Sequence, residues 1–148
     1  MKIPSIRELE KIADKINKIL SLGDVVFLYG AIGVGKTTFA RHLINSFEDE
    51  KKIKKSEVLS PTFNIVFEYE IKKLKIKHFD LYRIKNYEDI KNIGLFENLE
   101  QSITLIEWPE LIINKPLNRV DLFFKYTKNY NERSLVIKTD GRLKKHEF

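Results

Sequence analysis

The segment from Val25 to Thr38 reads Val-Val-Phe-Leu-Tyr-Gly-Ala-Ile-Gly-Val-Gly-Lys-Thr-Thr, and it restricts the fold more than any other stretch. Val25 to Tyr29 is a short apolar and aromatic run rich in β-formers, which predicts a buried parallel strand. Gly30, Gly35, Lys36 and Thr37 then satisfy the spacing G-x-x-x-x-G-K-[ST]. An amphipathic stretch, Thr37 to Phe47, follows at once. Strand, glycine loop and helix in that order predict an α/β domain with a phosphate-binding loop at a strand's carboxyl end.

Each residue type has a physical task. Glycines open backbone conformations that a Cβ would close, so that successive N–H groups converge on phosphate oxygens. The helix starting near Lys36 aims its positive dipole end at the same anion. Lys36 reaches β- and γ-phosphates as a point charge, the Thr37 hydroxyl ligates Mg²⁺, and Thr38 donates toward the α-phosphate. The expected nucleotide-binding set is Gly30, Gly33, Val34, Gly35, Lys36, Thr37 and Thr38. The competing reading, a glycine turn before an ordinary helix, leaves the conjunction of all three elements unexplained.

At 148 residues the chain is expected to form one domain spanning 1–148, and its 43% hydrophobic content suits a globular core. No apolar run approaches the ~18 residues of a membrane span, and the first residues lack a signal-peptide stretch. With no cysteine there is no disulfide framework or thiolate nucleophile. A cytoplasmic location without membrane attachment is the expectation. The net charge of +6 and pI near 9.4 raise a nucleic-acid partner. The lysines cluster at 51–55, 72–77 and 144–145; the first two clusters coincide with expected turns, and solvated loops are the favoured reading.

Along the chain, Ser5 and Glu8 fit a capping box for a helix carrying Ile6, Leu9, Ile12, Ala13, Ile16, Ile19 and Leu20 on one face and stopped by Gly23. That helix is expected to pack on the sheet, with its start also near a nucleotide base. Glu48 to Lys55 reads as a surface connection. Pro61 marks a loop, Ser60-Pro61-Thr62-Phe63. Asn64 to Ile71 and Leu74 to Phe79 form a hairpin around Lys72-Lys73. Asn86 caps a short helix ending at Gly94, and Leu95 to Leu99 is a further turn. Ser102 to Ile106 is a strand, and Pro109 and Pro116 bracket a short helical or irregular piece. Val120 to Tyr126 and Ser134 to Thr139 are terminal strands around a polar turn, Lys128 to Asn131. The fold class is α/β: a mixed, largely parallel sheet flanked by helices, with a β-hairpin and C-terminal antiparallel strands.

A phosphate loop needs an acid at a neighbouring strand end to hold Mg²⁺ and a group that orients the attacking water. Two strands end in an acid, Ile76-Lys77-His78-Phe79-Asp80 and Ile103-Thr104-Leu105-Ile106-Glu107. The second is the purer buried strand, so Glu107 is assigned to the metal with Thr37. Asp80, on a strand expected near an exposed edge, becomes the water-orienting or switch residue. Either acid alone also fits a helix cap. Thr62 fits a γ-phosphate sensor or a plain Ser/Thr-Pro turn. Trp108 fits the site or the core. His78 reads as a strand residue, and His42, His78 and His146 have no metal-ligand spacing.

Guanine specificity is disfavoured: Asn114-Lys115-Pro116-Leu117 has leucine where a base-reading aspartate must stand. A small-molecule kinase would need an arginine-bearing lid, and the six arginines are scattered. That rival stands as an alternative, beside a basic nucleic-acid-binding accessory protein with structural ATP.

Gly30 to Phe39, Ser60-Pro61-Thr62-Phe63, His78-Phe79-Asp80-Leu81-Tyr82-Arg83 and Ile106-Glu107-Trp108-Pro109-Glu110, in this order, resemble the signatures of the TsaE (YjeE) family. Ala31 departs from the family's usual acidic or amide residue, and Val34 from its usual alanine. The resemblance implies a bacterial P-loop ATPase that uses ATP and Mg²⁺ in making N6-threonylcarbamoyladenosine in tRNA. It implies a TsaD–TsaB pair as partner, with any tRNA contact indirect, and hydrolysis that is slow until the partner binds. It also implies catalytic roles for Lys36, Thr62, Asp80 and Glu107, Mg²⁺ ligation by Thr37 and Glu107, and Arg133 near the nucleotide.

Overall fold

Seven strands form one sheet in the order β1-β7-β6-β2-β5-β4-β3. The computed structural model describes residues 1–3, 5–128 and 131–148. The strands are β1 (Lys2–Ile3), β2 (Val25–Tyr29), β3 (Val66–Ile71), β4 (Leu74–Asp80), β5 (Ile103–Glu107), β6 (Arg119–Tyr126) and β7 (Arg133–Asp140). The central four, β6, β2, β5 and β4, run parallel, while β1, β3 and β7 pair antiparallel with their neighbours. The mixed sheet, the hairpin and the antiparallel C-terminal pair all match the sequence expectation. The polar turn expected at Lys128 to Asn131 includes residues 129 and 130, which lie outside the described residues.

Side-chain parity divides the core. Val26, Leu28, Ile76, Leu105 and Leu122 face helices α1 (Ile6–Ile19) and α2 (Lys36–Glu50), which contribute Ile12, Ile16, Phe39 and Leu43 to one apolar cluster. Val25, Phe27, Phe79 and Ile106 face the other way, onto Leu81, Leu95, Ile112 and Ile90 of α3 (Tyr87–Asn92). The period of two along each strand keeps these clusters on opposite faces. No described helix is long and apolar enough to cross a membrane.

The caps follow local chemistry. Ser5 Oγ accepts from Glu8 N at 3.3 Å, and Asn86 Oδ1 accepts from Asp89 N at 3.1 Å. Three local expectations need correction. Helix α1 ends at Ile19, where the Leu20 N–H closes on Ile16 and Asn17 carbonyls; Gly23, at φ 94°, shapes the later turn into β2 instead. Glu48 is buried, not part of a surface connection: α2 continues to Glu50, and the Glu48 carboxylate accepts from Asn45 Nδ2 and Ser56 N, both at 2.9 Å. Asp80 is 2% exposed, because β3 covers that side of β4 and occupies the edge itself.

A polar seam fixes α1 against α2. Asn17 Nδ2 donates to Ser46 Oγ at 2.9 Å, Ser46 Oγ donates to Asp14 Oδ1 at 2.6 Å, and His42 Nδ1 lies 3.6 Å from Glu10 Oε1. Burial lowers the His42 pKa below 6.5, outweighing the attraction of Glu10, and its Nε2 has no hydrogen-bond partner among the described residues. The unfolded chain therefore binds this proton more readily than the folded one. Stability is complete above the unfolded pKa near 6.5 and falls as pH drops from there toward the lower folded value. Urea titrations between pH 5 and 8 should show this slope, and His42→Gln should flatten it; an equal slope in both proteins contradicts the assignment.

Candidate functional site

The loop after β2 is shaped by a close approach of β6. Gly30 has φ 146°, and a Cβ there would lie 2.7 Å from Val34 Cγ1 and 2.8 Å from the Phe124 carbonyl oxygen. Gly35, at φ 120°, is the N-cap of α2 and provides no side-chain cap. The N–H groups opening α2 therefore face the loop without a capping side chain, the arrangement that attracts anions.

Lys36 lies under the loop. Its amine donates to the Gly30 carbonyl and to the Ala31 carbonyl at 3.4 Å, and sits 3.6 Å from the Trp108 ring centroid. Burial lowers its pKa from 10.5, and Glu107, Glu110 and Asp80 oppose that shift. Thr37 Oγ1 is 3.0 and 2.9 Å from the two Glu107 oxygens. Glu107, on β5, is 2% exposed.

Asp80 and Glu107 are direct register partners on β4 and β5. Thr62 Oγ1 donates to Asp80 Oδ2 at 2.7 Å, Ser60 Oγ reaches the same oxygen at 3.4 Å, and Tyr82 N donates to Oδ1 at 2.9 Å. The hydroxyl loop is thus tied directly to the second acid. A cleft of about 220 Å³ touches Lys36, Thr37, Thr62, Asp80, Glu107 and Trp108 together. The structure therefore gathers Lys36, Thr37, Thr62, Asp80 and Glu107 at one end of the parallel strands.

Arg133 lies on the other side of the loop. Its Nε donates to the Val34 carbonyl at 3.2 Å, and its guanidinium lies 4.9 Å from the Tyr126 ring. A cavity of about 370 Å³ there is lined by Ser5, Ile6, Val34, Thr38 and Arg133, among others. The start of α1 thus both packs on the sheet and borders the cavity.

Two residues enter the site against or beyond the sequence reading. His78, read as a plain strand residue, is fully buried with Nε2 2.7 Å from Glu107 Oε2. Its i, i+2 spacing from Asp80 was the available signal, since it puts both on one face. Tyr82 holds Asp80 through its backbone, and its ring lies 4.9 Å from that of Trp108. Trp108 itself takes a left-handed φ of 58° directly after Glu107 and donates its N–H to Leu28 O at 3.2 Å.

The donor set fits a small hard cation. Hydroxyl and carboxylate oxygens stand together, and no group of three or more His, Asp or Glu able to hold a metal exists among the described residues. Mg²⁺ takes one or two protein oxygens and completes its shell with waters and phosphates, which matches this pair better than a protein cage would. Because Gly30 admits no Cβ without moving β6 or Val34, Gly30→Ala should destabilise the fold by about 2–4 kcal/mol. Denaturant unfolding measures it, and a change below about 0.5 kcal/mol contradicts the packing described.

The TsaE family, described as threonylcarbamoyl adenosine biosynthesis protein TsaE, matches residues 3–135. A protein of Rickettsia felis named tRNA threonylcarbamoyladenosine biosynthesis protein TsaE is 38% identical over 118 residues, 78% of this chain and 67% of its own length. One of the same name from Rickettsia typhi is 37% identical over 142 residues, 94% of each chain. The crystal structure of Bacillus YdiB superposes with a TM-score of 0.76 at 27% identity, covering 98% of this chain and 87% of that one. Over nearly its whole length, in sequence and in fold, the chain belongs to the TsaE family.

Proposed function

We propose that the chain binds and hydrolyses Mg-ATP in support of a TsaD–TsaB transferase during threonylcarbamoyladenosine modification of tRNA. The observation that carries the ATPase reading is the contact of Thr37 Oγ1 with both Glu107 oxygens beside the Lys36 amine. The pathway reading rests on family membership. A soluble ATPase needs a cradle, a metal carboxylate and a water-orienting group within one cleft, and these residues meet that need.

In this reading the N–H groups from Gly33 to Thr38 cradle the phosphates, and the Lys36 amine exchanges its loop carbonyls for β- and γ-oxygens. Thr37 and Glu107 hold Mg²⁺, which when bound neutralises charge developing on the phosphate oxygens. Asp80 orients the attacking water, and Thr62 links that acid to the γ-phosphate end of the site. The cavity beside Thr38 and Arg133 takes the nucleoside. Arg133 acts there through the Val34 carbonyl it holds. Ile32 and Phe63 are 67% and 81% exposed. Placed at the loop and the hydroxyl turn, they supply apolar contact for the partner pair, whose docking completes the site and raises a slow basal rate.

Lys36→Ala should abolish productive ATP binding, measured by calorimetry. Glu107→Ala should lower Mg²⁺-dependent hydrolysis on the order of 10²-fold, the scale of losing one electrostatic stabiliser. An unchanged rate in Glu107→Ala overturns the metal assignment. For the partner, immobilised TsaD–TsaB should retain the chain in the presence of ATP and accelerate phosphate release. No retention with or without ATP refutes the pathway role, and phosphorylated metabolite in place of free phosphate would replace the ATPase by a kinase.

A further inference from the structure

We propose that His78 is a positioning residue for Glu107, holding the carboxylate in one orientation toward Thr37 and a divalent cation. This rests on the reading that Thr37 and Glu107 bind Mg²⁺.

His78 is fully buried on β4, on the face it shares with Ile76 and Asp80. Its Nε2 lies 2.7 Å from Glu107 Oε2, and that oxygen also receives the Thr37 hydroxyl at 2.9 Å. As a cation ligand Glu107 is a carboxylate and only accepts, so in this reading the shared proton belongs to Nε2. The other ring nitrogen fits the same tautomer: Nδ1 is buried without a partner among the described residues. A proton there would be a buried donor with nothing to meet, whereas a bare lone pair is the lesser loss.

Two consequences follow for the carboxylate. The one Thr37 hydroxyl hydrogen is shared between Oε2 at 2.9 Å and Oε1 at 3.0 Å, while His78 engages Oε2 alone. Oε1 is therefore the oxygen with acceptor capacity to spare for a cation. Rotation of the carboxylate about its last bond would break the imidazole contact, so the ring acts as a rotational stop. A histidine that merely filled the core would be interchangeable with leucine. One that orients a metal ligand is not, and such outer partners typically matter by 10–100-fold in metal affinity.

The test reads metal binding and the tautomer, without relying on turnover. Long-range ¹H–¹⁵N spectra of the wild-type protein should show His78 protonated at Nε2; protonation at Nδ1 overturns the proposal. Mn²⁺ binding in the presence of a non-hydrolysable ATP analogue is then followed by electron paramagnetic resonance. His78→Leu should weaken Mn²⁺ by about 10–100-fold and leave metal-free nucleotide affinity unchanged. His78→Gln, whose amide can donate from the position of Nε2, should recover most of the loss, and His78→Asn should not. Unchanged Mn²⁺ affinity in His78→Leu, or equal losses in the leucine and glutamine variants, refutes the role. Combining His78→Leu with Glu107→Ala should add no further loss, and a fully additive loss counts against it. If His78→Leu does not fold, the wild-type spectrum and the Gln–Asn comparison decide. If Glu107→Ala alone leaves Mn²⁺ affinity intact, the metal reading fails and this inference with it. If Glu107→Ala weakens Mn²⁺ and His78→Leu does not, only the His78 assignment fails.

Discussion

The site depends on the parallel register of three strands. Leu28 pairs with Glu107 and Asp80 pairs with Glu107, so β2, β5 and β4 end level with one another. Backbone bonds just beyond the strands secure that alignment: Trp108 N donates to Leu28 O at 3.2 Å, and Leu81 N to Glu107 O at 3.0 Å. A slip of one residue in β5 would turn Glu107 to the α3 face and bring Ile106 under the loop. The geometry of the candidate site therefore rests on backbone hydrogen bonds rather than on its own side chains.

Much of this was legible in the chain because the signals are local. The run Val25–Tyr29, the glycine spacing and the strand-end acids each follow from residue type and short-range pattern. The burial of Asp80 was not legible from β4 alone. Lys75 and Lys77 point away from α2, opposite Glu70 and Glu68 of β3, so charged residues on one face hid a buried polar set on the other. The contact of His78 with Glu107 left no local trace for a related reason: the two lie 29 residues apart, and only strand pairing brings them together. Arg133 was reached by resemblance, since its contact with Val34 spans 99 residues and leaves no local trace.

Both acids are buried without a lysine or arginine ion pair to either carboxylate among the described residues. Hydroxyls, an imidazole and a backbone N–H satisfy them instead. These donors satisfy the carboxylates without a direct lysine or arginine contact, which suits groups proposed to meet a cation. The nearest buried cation, Lys36, is engaged by carbonyls and the Trp108 ring, and burial depresses its pKa. Charge is thus concentrated here in a way that a purely structural core would avoid.

The division of the core by strand parity also insulates. His78, Asp80 and Glu107 belong to the α1–α2 face, while Phe79 and Ile106, their immediate chain neighbours, belong to the α3 face. Leu95, Ile90 and Ile112 of the α3 side stand away from the cleft, whereas Trp108, packed against the same cluster, lines it together with both acids. The backbone crosses between the layers at one notable junction, where Leu81 enters the α3-side cluster and Tyr82 N binds Asp80 Oδ1. Away from Trp108 the outer layer is therefore free to diversify in size and shape, and that short crossing is a mechanical link to the acids.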